Sequence, residues 1–155
     1  MLDDTAQNYG RNILSTLNPL NAYRETKIKT ASPGHLIIML YEEAVRQIDT
    51  AASLMEMKEK KLDQVNNAIL RAQDMITELM VALDFDKGQE IARNLFNLYI
   101  YFNQELMTAN IQKDPKPLRA VQKMVSELCD AWKQVVAKIG RESGGHSSGN
   151  VNIAG

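Results

Sequence analysis

Residues 32–57, SPGHLIIMLYEEAVRQIDTAASLMEM, decide the fold of this chain. Ser32 and Pro33 suit a helix start, because a serine hydroxyl caps free backbone N–H groups and proline fits the first helical position. The apolar residues that follow recur at alternating intervals of four and three, which places them on one helical face: Ile37, Tyr41, Ala44, Ile48, Ala51 and Met55. The stretch therefore predicts an amphipathic helix at about residues 33–57.

The same spacing recurs in three later segments that are separated by short polar connections. It predicts helices at about 63–84, 89–110 and 115–139, the last beginning with an Asp114 cap and Pro115. The apolar stripes are Val65, Ile69, Ala72, Ile76, Leu79 and Leu83 on the second helix, Ile91, Leu95, Leu98, Phe102, Leu106 and Ala109 on the third, and Leu118, Val121, Val125, Leu128, Trp132, Val135 and Ile139 on the fourth. Short connections make neighbouring helices antiparallel, so we predict an all-α, up-down-up-down four-helix bundle over residues 32–139.

The two ends of the chain differ from the bundle in composition. Residues 1–31 are less regular and predict an N-terminal arm that is either mobile or docked on the bundle. Residues 140–155 hold five of the eight glycines, interspersed with serines, and predict a flexible C-terminal tail.

Composition and charge exclude several classes of protein. Lys and Arg total 18 against 19 for Asp and Glu, so there is no excess of positive charge to bind a nucleic acid. The only cysteine, Cys129, has no disulfide partner within the chain, and the first residues lack the features of a signal peptide. No apolar run is long enough to cross a membrane. These features predict a cytoplasmic protein that is not inserted in a membrane.

The sequence shows no motif for catalysis, a cofactor or a metal. Neither His35 nor His146 belongs to the Glu-x-x-His motif of a di-iron bundle, and no glycine-rich phosphate loop is present. Cys129 is interpreted as a packing residue. We therefore predict that the protein is not an enzyme, with a phosphotransfer bundle acting through His35 left as one alternative.

Two segments carry more apolar residues than a bundle helix needs to bury. Residues 36–41 and 95–102 are apolar around more than one face of their helices, so part of each is expected to lie outside the core. Contiguous exposed apolar surface usually marks an interaction site. The candidates for a binding groove are Leu36, Leu40, Met80, Phe96, Tyr99 and Ile100, with Tyr41, Ile76 and Leu95 on its floor. The alternative is that the arm or a homodimer contact covers this surface.

Several segments resemble the flagellar export chaperones that are specific for flagellin. The resemblance covers about residues 22–138, with the motifs in the order and spacing of that family. The matching segments are Thr30–Tyr41, Ala72–Leu79, Leu83-Asp84, Leu98–Tyr101, Ala109-Asn110 and Asp130–Lys133. Residues 1–19 and those after 139 depart from the family and inherit no role from it.

The resemblance implies a function and partners. Members of the family form cytosolic helical bundles that bind the C-terminal segment of flagellin, prevent its early polymerisation and deliver it to a membrane protein of the export gate. Further flagellar regulators are additional candidate partners. Ala22-Tyr23 matches the N-terminal Ala-Tyr of the family, so the resemblance implies that Leu20 and Tyr23 dock on the gate or shield the groove.

Overall fold

A computed structural model of the chain describes residues 33–148, with side chains for residues 33–143. This part forms four helices: α1 (Pro33–Glu56), α2 (Leu62–Val81), α3 (Phe85–Gln112) and α4 (Pro115–Ser148). Helices α2 and α4 each pack between α1 and α3, which lie diagonally opposite one another. The predicted all-α four-helix bundle is confirmed. The arm of residues 1–31, with Leu20 and Tyr23, and residues 149–155 of the predicted tail lie outside the described residues, whereas residues 140–148 of that tail continue the last helix.

All four helices contribute to the core, and the predicted stripes of α1 and α2 are almost entirely buried in it. Tyr41 and Ile48 of α1 and Ile69 and Ile76 of α2 are fully buried, and the alanines between them let the helices approach closely. No polar or charged residue is buried anywhere in the described part of the chain. Burial of apolar side chains therefore supplies the main stabilisation of the bundle.

Helix α4 differs from its prediction in both phase and length. An α-helix repeats at about 3.6 residues per turn, whereas the predicted stripe repeated at 3.5 and drifted around the helix. Cys129 consequently lies in the core and Val136 packs against it, while Val135 and Ile139 are exposed. The helix also continues to Ser148, beyond its predicted end at residue 139. Burial raises the pKa of the Cys129 thiol, consistent with its interpretation as a packing residue.

Helix α3 begins with a separate turn before its main length. The Asp84 carboxylate accepts hydrogen bonds from the backbone N–H groups of Asp86 and Lys87, at 3.1 and 3.0 Å, which starts the helix at Phe85 and not near Gln89 as predicted. Gln89 has φ 46° and ψ −116°, a conformation that is strained for a residue with a side chain and that kinks the helix. At its other end the helix continues past the predicted end near residue 110, to Gln112, and is capped by Lys113 in left-handed geometry.

Polar contacts on the surface hold α1 against α4. Arg119 of α4 donates hydrogen bonds to Asp49 at 2.6 Å and to both carboxylate oxygens of Glu56 at 3.0 Å. The hydrogen bonds from Arg119 lower the pKa of the Glu56 carboxyl. At the other end of the same seam, a Cβ on Gly34 would lie only 2.8 Å from a methyl carbon of Val136. A larger residue there would force the Val136 side chain to move, because the two helices approach so closely.

Three aromatic side chains form a hydrogen-bonded group inside the bundle. The hydroxyl groups of Tyr41 on α1 and Tyr99 on α3 are hydrogen-bonded to each other, and the indole N–H of Trp132 on α4 donates to Tyr41 at 3.1 Å. Burial raises the pKa of both tyrosines, which keeps them neutral. We call these residues the aromatic triad. It fixes the relative positions of three helices in a core that is otherwise held by non-directional contacts.

Candidate functional site

A shallow groove of about 380 Å³ runs along the outer side of the seam between α2 and α3. Helix α3 packs less closely against α2 and α4 than α1 does. The groove is lined by Gln73, Thr77 and Met80 of α2 and by Ile100, Asn103, Gln104 and Met107 of α3. We refer to it as the α2–α3 groove.

The lining of the groove is explained by helical spacing. The lining positions are 73, 77 and 80 on α2 and 100, 103, 104 and 107 on α3. Each set spans about two turns along one face of its helix, next to the core stripe. Because the two helices are antiparallel, the two faces meet along the seam. Met107 is 53% exposed, so the groove presents apolar side chains to solvent at its edge.

Hydrogen bonds donated by neutral side chains cross the seam. Gln73 Nε2 donates to the backbone oxygen of Asn103 at 3.2 Å. Nearer the other end of α3, Asn110 Nδ2 donates to Asn66 Oδ1 at 2.7 Å. The lining of the groove contains no charged residue, so it suits an apolar segment with neutral polar side chains at its edges.

The groove brings together only some of the predicted site residues. Met80 and Ile100 line it. Leu36 and Leu40, on α1, are half-buried and do not belong to the lining, because α1 lies across the bundle from α3. Phe96 is half-buried and its ring packs edge-on against Phe85, with the centroids 5.8 Å apart.

The remaining predicted residues lie in or against the core. Tyr41 and Ile76 are buried, as expected for floor residues, and Leu95 packs against the core cluster. The expectation that Tyr99 lies off the core stripe is wrong, because its side chain is only 2% exposed and belongs to the aromatic triad. Leu20 and Tyr23 lie outside the described residues.

Five lining residues were missed by the sequence analysis: Gln73, Thr77, Asn103, Gln104 and Met107. Four of them are neutral and polar, whereas the predicted groove was defined by surplus apolar side chains. Their positions in the sequence could have identified them. These residues adjoin the core stripes of two helices that are consecutive in the chain and therefore pack side by side.

Comparison with known proteins identifies the family of the chain. A family model described as flagellar protein FliS matches residues 16–139. The chain belongs to this family. It is 31% identical to the flagellar secretion chaperone FliS of Bacillus subtilis over 134 residues, which cover 86% of this chain and 96% of the relative. The FliS chaperones of Salmonella typhimurium and Campylobacter jejuni are 33% and 30% identical, each over 74% of this chain and 84% and 88% of their own lengths.

Membership of the FliS family confirms the resemblance inferred from the motifs. The matched range includes the whole of the α2–α3 groove and the aromatic triad. Within the described part of the chain, no group of three or more His, Cys, Asp or Glu side chains is placed to hold a metal ion. No helix there has the length and apolar character that a membrane crossing requires.

Proposed function

We propose that this protein is a cytosolic, non-enzymatic chaperone that binds the C-terminal segment of flagellin, prevents its premature polymerisation and delivers it to the flagellar export gate. The relatives described above are named flagellar secretion chaperones, and the matched segment includes every helix that borders the groove. The observation that carries the proposal is the α2–α3 groove, an uncharged cleft with solvent-exposed apolar side chains.

The physical basis of the proposal is burial of an amphipathic face. A flagellin terminal segment that forms an amphipathic helix would self-associate through its apolar side, and a groove between two helices buries such a side instead. Methionine side chains at both ends of the groove, Met80 and Met107, are flexible and adapt to the shape of the segment. Ordering the segment costs conformational entropy, so binding stays reversible and the cargo is released for export.

Substitution of Ile100 tests the proposed groove. Ile100→Asp places a charge in the apolar lining and should weaken binding of a C-terminal peptide of the cognate flagellin by roughly 30-fold, equivalent to ~2 kcal/mol. Titration calorimetry measures this change. Because Ile100 is only half-buried, the variant should keep the helical circular dichroism of the unmodified protein.

The matched control is Ile91→Asp, the same substitution on the opposite face of α3. Ile91 is 71% exposed and does not line the groove, so this variant should bind the peptide as the unmodified protein does. Equal loss of affinity in both variants would place the cargo elsewhere on α3. Absence of binding by the unmodified protein would refute the proposed function itself.

We also propose that Leu20 and Tyr23 belong to an arm that docks on the export gate or shields the groove. The proposal is supported by the Ala22-Tyr23 motif that precedes α1. Tyr23→Ala should retain peptide affinity within about threefold, a change below 1 kcal/mol, yet reduce flagellin export in a cell-based secretion assay. A variant that exports flagellin normally would show that Tyr23 has no part in gate docking.

A further inference from the structure

The polar wall of the α2–α3 groove contains an oxygen that its neighbours do not satisfy. Asn103 Oδ1 is buried and accepts no hydrogen bond within the described part of the chain. The great majority of buried polar atoms in proteins have a hydrogen-bond partner, and an exception generally has a functional or structural reason.

The groups around Asn103 explain why this oxygen stays unpaired. Thr77 Oγ1 donates its only proton to the backbone oxygen of Gln73, at 2.8 Å. The Thr77 hydroxyl is therefore an acceptor toward Asn103, whose Nδ2 group donates to it over 3.5 Å. This arrangement directs the amide nitrogen of Asn103 toward α2 and leaves the amide oxygen without a donor.

The same contact leaves the amide free to adjust. A donor-to-acceptor distance of 3.5 Å lies beyond the usual range for a side-chain hydrogen bond, so little is lost when the Asn103 amide rotates. Asn103 as a whole is half-buried and lines the groove. A bound segment reaches this oxygen only if the amide rotates toward the groove surface.

We propose that Asn103 determines the specificity of the groove, by accepting a hydrogen bond from an uncharged hydroxyl or amide side chain of the bound segment. This inference rests on the proposed function. The donor must be uncharged because no acidic residue lines the groove to offset a buried ammonium or guanidinium group. The selected side chains are therefore those of Ser, Thr, Tyr, Asn and Gln.

The positions along α3 define the motif that the groove selects. Ile100, Asn103 and Met107 follow one another at intervals of about one turn, giving an apolar, polar, apolar order along the groove. A helical cargo lying along α3 matches this order with an apolar residue on each side of the hydrogen-bond donor, about one turn away. Apolar contacts supply the affinity and the Asn103 hydrogen bond fixes the register.

Asn103→Leu tests the proposal because it separates binding from stability. Leucine removes the unpaired oxygen, so the free protein should unfold at the same urea concentration as the unmodified protein or at a higher one. Its affinity for the C-terminal peptide of the cognate flagellin should fall about tenfold. A purely structural role for Asn103 would instead lower the stability of the free protein. Asn103→Ala serves as a second variant that adds no bulk to the groove.

The matched control is Asn94→Leu. Asn94 is exposed on α3 and does not line the groove, so the same substitution there leaves the lining and the buried oxygen unchanged. It should leave the peptide affinity within about threefold of the original value. Equal affinity of the Asn103 variants and the unmodified protein would overturn the inference, while leaving the proposed function intact. If the unmodified protein did not bind the peptide, both this inference and the proposed function would be overturned.

Substitutions in the peptide identify the donor. Replacing each neutral polar residue of the peptide with alanine, one at a time, should reveal one position that costs about tenfold in affinity for the unmodified protein. The same replacement should cost almost nothing with Asn103→Leu, because both partners of one hydrogen bond are then absent. Additive losses at every position would contradict a direct hydrogen bond to Asn103.

Discussion

Replacing Tyr99 with aspartate should unfold the bundle. The tyrosine ring is fully enclosed, with its centroid 6.3 Å from that of Tyr41 and 6.4 Å from that of Phe102. The substitution removes most of this buried aromatic surface, which alone costs about 3–5 kcal/mol. It also places a carboxylate in a core that contains no buried cation within the described residues. The total approaches the whole stability of a typical domain, about 5–15 kcal/mol.

Circular dichroism during urea unfolding measures this effect. Tyr99→Asp should lose the helical signal, or unfold at a far lower urea concentration, while Tyr101→Asp should remain folded because Tyr101 is exposed. Unchanged unfolding of Tyr99→Asp would show that the side chain lies outside the core. A loss of flagellin binding in this variant would therefore report unfolding and would carry no information about the groove.

The fold was predictable because polar residues interrupt the apolar pattern of most helices. In α1, charged or polar residues separate Tyr41, Ala44 and Ile48, so only one face could form the core, and the structure buries all three. The helix cap at Asp114 was also predictable from the Asp-Pro pair. Its carboxylate accepts a hydrogen bond from the backbone N–H of Lys116 at 3.0 Å.

The phase of α3 was not predictable from its own sequence. Residues 95–102 are apolar on nearly every side, so periodicity within this stretch does not distinguish the core face from the outer face. The prediction extended the stripe backwards to Ile91, which is exposed, and left Tyr99 outside it, although Tyr99 is buried. The orientation of α3 in the bundle is set by its hydrogen bonds to the other helices and its packing against them. The sequence of one segment does not encode these contacts.

The candidate site was predictable only in its apolar part. Met80 and Ile100 were recognisable as apolar residues beside a core stripe. Gln73, Thr77 and Asn103 have the polarity of ordinary solvent-facing helix residues, and only the pairing of α2 with α3 shows that they form one wall. The unpaired oxygen of Asn103 depends on the direction of neighbouring hydrogen bonds, a property of the folded structure alone.

The second large effect is expected from Tyr41→Phe, which removes a single oxygen atom from the centre of the aromatic triad. Tyr41 is the residue that joins the other two, since its hydroxyl is hydrogen-bonded to both Tyr99 and Trp132. The substitution leaves the buried Tyr99 hydroxyl and the Trp132 N–H group without their partner. Burial without a partner costs about 1–3 kcal/mol per group, so we expect a loss of roughly 3 kcal/mol in the free energy of unfolding.

Tyr99→Phe provides the informative comparison, because Tyr99 stands at one end of the triad. Removing the Tyr99 hydroxyl leaves Tyr41 hydrogen-bonded to Trp132. The loss in the free energy of unfolding should therefore be smaller, about 1 kcal/mol. Tyr101→Phe, an equivalent change at an exposed position of α3, should alter stability by less than about 0.5 kcal/mol. Urea unfolding of the three variants measures their free energies of unfolding and so ranks the three losses. Equal losses for Tyr41→Phe and Tyr99→Phe would mean that the Trp132 hydrogen bond contributes nothing, and that α4 is held to α1 by packing and surface ion pairs alone.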